Sequence, residues 1–201
     1  MLPKYKSGSY SPARIATERA INECLKQIQF ADSILEVGSK NSVHRTLLNN
    51  KKYISIDIVA GKNVDLVADV HDLPFENESF DLIMCVEVLE HLRNPARAIN
   101  EMFRCLNSNG AIILSTRFLF PLHPDPYDYY RFTPDSLKLL FDKFKIIKIY
   151  PVGNVLTTLS MIFLHLLPRP LQKHYLFSWL GYLPIKSHTR FACGYVVLSM
   201  K

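Results

Sequence analysis

Short apolar stretches, several of them followed by a glycine or an acidic residue, alternate along the chain with segments whose apolar residues recur at helical spacing. The apolar stretches predict strands over 33–37, 53–57, 64–68, 80–86, 111–115, 144–150 and 191–200. They are apolar at nearly every residue, which is typical of strands that are covered on both faces. Such strands alternating with helices predict an α/β fold with a doubly wound, seven-stranded, mainly parallel sheet.

Helix-capping side chains mark where the helices begin. Ser11, Asn94 and Thr133 each stand directly before a proline. This pair opens helices because the cap accepts a backbone N–H while proline lacks one. We expect helices from about residue 12, over 95–106 and from 134 to about 141, with a short helix at 43–48.

The segments assemble into one predicted domain over residues 1–201. It has an N-terminal helix within 1–30 and a core at 31–150, followed by a helical insertion or cover at 151–190 and the last strand at 191–201. A chain of 201 residues with 48% hydrophobic and 21% charged residues can bury a full core.

Several classes of protein are disfavoured by composition. No apolar run approaches the roughly 20 residues that span a bilayer, and the first residues lack the apolar segment of a secretory signal. A cytoplasmic protein is therefore expected. The four cysteines and seven histidines form neither CxxC nor HExxH spacing, so no metal site is predicted.

Acidic residues stand at the ends of four predicted strands. These residues are Glu36, Asp57, Asp69 and Glu87. In doubly wound sheets the ligand binds at the carboxyl ends of the strands. Four acids disfavour a phosphate there, because phosphate sites use backbone N–H groups and cations. The pattern indicates a ligand with hydroxyls, amines and positive charge.

The motifs around these acids resemble those of the class I S-adenosylmethionine-dependent methyltransferases, in particular the small-molecule type with a seven-stranded sheet. The resemblance covers about residues 30–150. It rests on Leu35-Glu36-Val37-Gly38, Asp57, Ala68-Asp69 with Leu73-Pro74-Phe75, Ser79-Phe80-Asp81-Leu82-Ile83, Glu87-Val88-Leu89-Glu90-His91, and Arg104-Cys105-Leu106 with Gly110.

The resemblance implies S-adenosylmethionine as the cofactor and assigns residues to its parts. Asp57 would hold the ribose, with Ile58 packed on the adenine, and Asp69 and Val70 would read the adenine edge. The residues implied around the methionyl part and the sulfonium are Glu36, Gly38, Ser39 and the segment from Cys85 to Glu87.

The glycine-rich loop departs from the family pattern of Gly-x-Gly-x-Gly. Lys40 and Ser42 replace its second and third glycines. We expect cofactor binding to be retained, and the alternative is a catalytically inactive, methyltransferase-like binding or scaffold protein. A nicotinamide dehydrogenase is disfavoured because Gly-x-Gly-x-x-Gly is absent.

A second informative segment, residues 116–134, follows the fifth strand and is dense in His, Asp, Tyr and Arg. We call it the lid segment and expect it to cover the methyl group. His123 is the candidate general base, because the pKa of histidine lies near neutrality. Tyr130 or Tyr129 would orient the acceptor, and Arg131 would hold an anionic group on it. Alternatively, Arg131 pairs with Asp128 to hold the loop.

The C-terminal part of the chain is apolar and basic. From residue 143 onward it holds eight Lys or Arg and no acidic residue. The amphipathic segment 154–180 predicts either peripheral contact with a membrane or helices that cover the sheet or a homodimer interface. No nucleic-acid motif is present.

The predicted function is methyl transfer to oxygen of a small-molecule, sugar or lipid-linked acceptor.

Overall fold

The fold is a seven-stranded sheet with helices on both faces. A computed structural model describes residues 11–28, 31–40, 44–46, 48, 52–123, 126–168, 174–183 and 189–201. Its strands are β1 Ser33–Val37, β2 Lys52–Asp57, β3 Leu66–Val67, β4 Phe80–Val86, β5 Leu106–Arg117, β6 Ile146–Val152 and β7 Gly194–Met200.

The strand order confirms the predicted fold class. It is β3-β2-β1-β4-β5-β7-β6, and β7 runs antiparallel to both of its neighbours while the other pairs are parallel. Leu35 in β1 pairs with Ile54 of β2 on one side and Ile83 of β4 on the other. Strand order reverses between β1 and β4, and this switch point is where such sheets bind ligands.

The helices begin at the predicted caps. They are α1 Pro12–Leu25, α2 Pro95–Cys105, α3 Pro134–Leu140 and α4 Val155–Leu166. The side chains of Ser11, Asn94 and Thr133 each accept a backbone N–H from the first turn that follows. The helix expected at 43–48 is only a 3₁₀ turn over His44–Thr46, with residues 43 and 47 outside the described part.

Two apolar clusters lie on opposite faces of the sheet. Leu35 and Ile83 pack on the face covered by α2 and α3, whereas Ile34 and Met84 pack on the face covered by α1 and α4. Both faces are therefore closed, which leaves the carboxyl ends of the strands as the edge available to a ligand.

The bounds predicted for the two edge strands, 64–68 and 144–150, differ by one or two residues from those of β3 and β6. β3 has only two residues, both exposed, because it is an edge strand with one neighbour.

The segment 151–190 holds α4 and a 3₁₀ helix, His174–Tyr182. This helix packs on α1, where Arg19 Nη1 donates to the Gly181 carbonyl at 3.0 Å. Among the described residues, no helix is long and apolar enough to cross a bilayer.

Candidate functional site

A cavity of about 470 Å³ opens at the carboxyl ends of β1, β2 and β4. Its volume lies within the roughly 300–1,000 Å³ typical of small-ligand sites. The segments that line it are the turn after β1, residues 56–59, residues 68–71, residues 86–93 and the lid residues Pro126, Tyr127 and Tyr129. The cavity therefore coincides with the switch point of the sheet.

The turn after β1 requires a glycine at residue 38. Gly38 has φ +76°, and a Cβ there would lie 2.2 Å from a methyl carbon of Val88. The backbone N–H groups of Gly38 and Ser39 donate to the Ile56 carbonyl at 2.9 and 3.1 Å. Gly38 lines the cavity, as predicted. Ser39 does not: it is buried, and its hydroxyl also donates to the Ile56 carbonyl, so its side chain faces the interior.

Asp57 stands at the cavity wall, at the end of β2. Its carboxylate accepts the backbone N–H of Lys40 at 3.2 Å and that of Val59 at 3.1 Å. The next two side chains, Ile58 and Val59, line the cavity while remaining 63% and 50% exposed. A fixed carboxylate beside two exposed apolar side chains suits a sugar attached to a flat aromatic ring.

Lys40 lies at the wall of the cavity without closing it. Its side chain packs next to Gly61: a Cβ added at Gly61 would lie 3.2 Å from Cγ of Lys40. The replacement of the family's second glycine therefore leaves the space open. Ser42, at the third glycine position, lies outside the described residues.

Asp69 and Val70 line the cavity opposite Asp57. Asp69 accepts the backbone N–H of His71 at 2.9 Å, and the Nδ1 of the same ring lies 2.7 Å away. Partial burial opposes ionisation, but these hydrogen bonds hold the pKa of Asp69 below its usual value. The carboxylate is therefore charged and fixed at the cavity wall near neutral pH.

Glu36 lines the cavity as part of a buried network that the sequence analysis missed. One carboxylate oxygen lies 2.7 Å from Nδ1 of His44 and the other accepts the Tyr53 hydroxyl at 2.6 Å. The Nε2 of His44 lies 3.0 Å from Glu18, which pairs with Arg14 at 2.6 Å. Burial opposes protonation of His44, yet the two carboxylates raise its pKa to about 9. Each carboxylate oxygen of Glu36 thus already has a partner before any ligand binds.

Glu87 holds an unusual backbone conformation at the cavity wall, with φ +60°. Its N–H donates to the Ser115 carbonyl at 3.1 Å, and the Ser115 hydroxyl donates to its carboxylate at 2.9 Å. The side chain also pairs with Arg117. Left-handed conformations of residues other than glycine cost on the order of 1–3 kcal/mol and cluster at functional sites.

Cys85 is a correction to the predicted cofactor residues. It is fully buried within the apolar cluster on one face of the sheet, and burial raises the pKa of its thiol. Its side chain packs into that cluster and does not reach the cavity. Val86 and Glu87, the other two residues of the predicted 85–87 segment, do line the cavity.

The lid segment is tied to the 3₁₀ turn Leu89–His91. The Glu90 carbonyl accepts the N–H of Tyr129 at 2.8 Å, and His91 Nδ1 lies 2.5 Å from the Tyr127 carbonyl oxygen. Tyr127 and Tyr129 line the cavity. Tyr130 lies beside it and donates its hydroxyl to the Arg93 carbonyl at 3.1 Å.

Arg131 is a second correction. Its Nε and both terminal nitrogens bond to the carboxylate of Asp128 and to the carbonyls of Phe120, Pro121 and Tyr130, at 2.5 to 3.3 Å. A guanidinium has five N–H groups, and these five bonds use them all. Arg131 therefore holds the lid together, as the alternative interpretation proposed, and has no donor left for an anionic acceptor.

His123 is not among the residues that line the cavity, and it lies next to the buried carboxyl group of Glu90. Its Nδ1 lies 3.3 Å from Asp128, and its Nε2 lies 3.9 Å from Oε1 of Glu90. Burial lowers the pKa of His123, although Asp128 opposes the shift. Burial and the nearby Glu87 raise the pKa of Glu90 to about 8. Glu90 is a site residue that the sequence analysis quoted in a motif without giving it a role.

Comparisons with known proteins agree with this geometry. The family described as "Methyltransferase domain" matches residues 35–114. Over 50 residues, 25% of this chain and 18% of the relative, the sequence is 44% identical to the tRNA U34 carboxymethyltransferase of Campylobacter hominis. Over 104 residues, 50% of the chain and 36% of the relative, it is 26% identical to the ubiquinone/menaquinone biosynthesis C-methyltransferase UbiE of Idiomarina loihiensis.

The solved structures show the same fold. One neighbour is an S-adenosylmethionine-dependent methyltransferase of Thermotoga maritima, described as a possible histamine N-methyltransferase. It has a TM-score of 0.63 and 16% identity, covering 94% of this chain and 91% of that one. The strand order, the acids at the strand ends and the family match confirm the resemblance of residues 35–114 to the class I S-adenosylmethionine-dependent methyltransferases.

Proposed function

We propose that this protein transfers the methyl group of S-adenosylmethionine to an oxygen of a small-molecule, sugar or lipid-linked acceptor. The observation that carries the proposal is the set of carboxylates at three strand ends, Glu36, Asp57 and Asp69, around one open cavity. Two of them, Asp57 and Asp69, are held by backbone N–H groups, so their positions are set by the fold.

The cavity wall matches the chemistry of the cofactor from one end to the other. Asp57 would accept the ribose hydroxyls, Ile58 would cover the adenine ring and Asp69 with Val70 would meet the adenine edge. At the other end Gly38 allows the methionyl chain to approach the backbone. S-adenosylmethionine supplies an activated methyl group on a sulfonium when it is bound.

The protein's contribution to methyl transfer is mainly orientation. In-line displacement is accelerated by holding the acceptor atom at near-contact distance and aligned with the donor. Because the sulfonium charge disappears in the transition state, strong pairing with an anion would slow the reaction. The pairing of Glu87 with Arg117 reduces the anionic field on this side of the cavity.

The lid segment supplies groups for an acceptor that carries a hydroxyl. His123 would take the hydroxyl proton, since its lowered pKa keeps it neutral near pH 7. Tyr129, at the cavity wall, and Tyr130, beside it, would orient the acceptor.

The face of α4 supports a lipid-linked acceptor. Six of its large apolar side chains are exposed, whereas Thr157 and Thr158 are buried against the body of the protein together with Met161 and Leu164. The exposed residues are Val155, Leu156, Leu159, Ile162, Phe163 and Leu166. The chain from residue 143 onward carries only basic charges, so we propose that this face meets an anionic lipid surface.

A labelled-methyl assay tests the proposed function. Purified protein is incubated with methyl-labelled S-adenosylmethionine and separated lipid and small-molecule fractions, with Asp57→Ala as the inactive control. The proposal predicts label in one fraction, bound through oxygen, that depends on the unmodified protein. Absence of transfer from protein that binds the cofactor product would favour the scaffold alternative, to which the Lys40 substitution in the glycine loop also points.

A further inference from the structure

Three metal-ligating side chains converge between the 3₁₀ turn and the lid. Glu90, His91 and His123 each offer one ligand atom, and these atoms all lie within 4.8 Å of one another. Within the part of the chain that the structure describes, this is the one such group. Two ligands that are about 2.0–2.2 Å from one ion lie about 3–4 Å apart, so small side-chain rotations would complete the site.

Glu90 has a buried oxygen that lacks a partner. The side chain is fully buried, and its Oε2 accepts the Thr116 hydroxyl at 2.8 Å. Its Oε1 has no hydrogen-bond partner among the described residues and points toward Nε2 of His123, 3.9 Å away. A buried carboxylate oxygen without a partner is costly, and a bound cation would satisfy it.

Both imidazole rings are oriented as metal ligands usually are. Nδ1 of His91 lies 2.5 Å from the Tyr127 carbonyl oxygen, and Nδ1 of His123 lies 3.3 Å from Asp128 and from the Pro121 carbonyl. Since a carbonyl oxygen only accepts, Nδ1 carries the proton and Nε2 keeps its lone pair. Metal-ligating histidines characteristically donate their other N–H to a carboxylate or carbonyl in this way.

We propose that Glu90, His91 and His123 bind a first-row divalent transition-metal ion, of the Zn²⁺, Co²⁺ or Mn²⁺ class. Two imidazoles and one carboxylate are a ligand set that such ions take while keeping open positions. Glu87, the other acid nearby, is already paired with Arg117, so the negative charge at this site would come from Glu90, which gives up its proton as the ion binds. Sequence spacing hid the site because its ligands come from two separate segments.

The site lies where an acceptor would enter, since His91, Tyr127 and Tyr129 line the cavity. What the ion would do there rests on the proposed function: it would lower the pKa of an acceptor hydroxyl bound at an open position, which would release its proton to bulk water before it takes the methyl group. His123 would then act as a ligand, and the general-base role applies to the metal-free protein. Metal binding itself does not depend on methyl transfer.

Titration of untagged, chelator-treated protein with Zn²⁺, and with Co²⁺ followed by visible absorption, tests the site. We expect one ion per chain with a spectrum of nitrogen and oxygen ligation. Glu90→Gln and His123→Ala should each weaken binding by about tenfold or more. His165→Gln, on α4, is the control for a lost histidine and should bind like the unmodified protein. His123 is partly exposed, so its variant tests the site even if Glu90→Gln fails to fold.

Three results would overturn the site: no saturable binding, equal affinity of the unmodified protein and both variants, or a thiolate charge-transfer band that places Co²⁺ on cysteine. S-adenosylhomocysteine binding is measured on the same samples. A protein that binds the nucleoside but no metal refutes the metal site alone. A protein that binds the metal but no nucleoside refutes the proposed function alone.

Discussion

Gly38 and Glu87 hold left-handed backbone conformations on the same cavity wall, with φ +76° and +60°. Gly38 does so without strain, and Val88 fills the space that its missing side chain leaves. Glu87 is held there by the backbone and hydroxyl of Ser115 and by Arg117. The turn after β1 and the turn after β4 therefore fit against each other, and together they shape one end of the cavity.

Gly38→Ala should disturb both turns at once. The added Cβ would overlap Val88 and adopt a strained φ, so we expect a loss of about 1–3 kcal/mol in the free energy of unfolding. Binding of S-adenosylhomocysteine should weaken as well. The control is Gly61→Ala, whose Cβ would meet the flexible side chain of Lys40 at 3.2 Å and a methyl carbon of Val64 at 3.4 Å. Urea unfolding measures the stabilities, and equal losses in the two variants would contradict this account.

At the scale of elements, a charged network joins α1, β1, β2 and the 3₁₀ turn after β1. His44 lies between Glu18 and Glu36, with Arg14 and Tyr53 bonded to the outer sides of those carboxylates. The members come from four segments with no shared motif. The sequence therefore predicted Glu36 as a cofactor residue but could not predict the side chains that hold it in place.

The His44 network predicts a specific pH dependence of stability. The folded pKa of about 9 lies above the ordinary value of 6.5, so the stabilisation is fully present below pH 6.5. It is lost as the pH rises from 6.5 through 9. We expect the free energy of unfolding to fall by on the order of 1–3 kcal/mol over that range. The free energy of unfolding of His44→Asn should be lower at pH 6.5 and should fall less between pH 6.5 and 9. Urea unfolding at each pH measures both proteins, and an equal fall in the free energy of unfolding for the two would refute the network's role.

Helix α4 shows where pattern reading succeeds and where it fails. Its apolar stripe and its polar side were both predicted from spacing, and the helix is present. Spacing does not tell which side faces the protein, and here Thr157 and Thr158 face inward, with Thr158 bonded to the Phe191 carbonyl at 2.6 Å.

The outward apolar face of α4 should bind anionic vesicles. We expect flotation of the protein with phosphatidylserine-containing liposomes at low salt and little with neutral ones. Leu159→Glu and Phe163→Glu, at residues 56% and 54% exposed, should abolish it. Leu139→Glu on α3, 77% exposed, is the matched control and should float normally. A different outcome would show that this face is an interface between copies of the chain. In that case the unmodified protein dimerises as its concentration rises and does not float with liposomes, and the two glutamate variants stay monomeric.

At the scale of the whole molecule, the sheet order brings together carboxylates that are far apart in sequence. Apolar runs and capping residues predicted nearly every strand and helix. These elements are specified by residues that are neighbours in sequence, and burial of their apolar side chains stabilises them. The ligand edge also followed from the sequence, since parallel strands end together. The choice between the two roles of Arg131 and the role of Glu90 did not follow, because both depend on which loop carbonyls and hydroxyls come within reach of these side chains.

Calorimetric titration with S-adenosylhomocysteine tests the central claim most directly. The fold predicts saturable binding of one nucleoside per chain, and Asp57→Ala should weaken it by about 10- to 100-fold because a charged hydrogen-bond acceptor is lost. Asp135→Ala, an exposed acid on α3, should leave the affinity unchanged. Folded protein that releases no saturable heat, or binds equally well without the Asp57 carboxylate, would contradict a cofactor site at these strand ends.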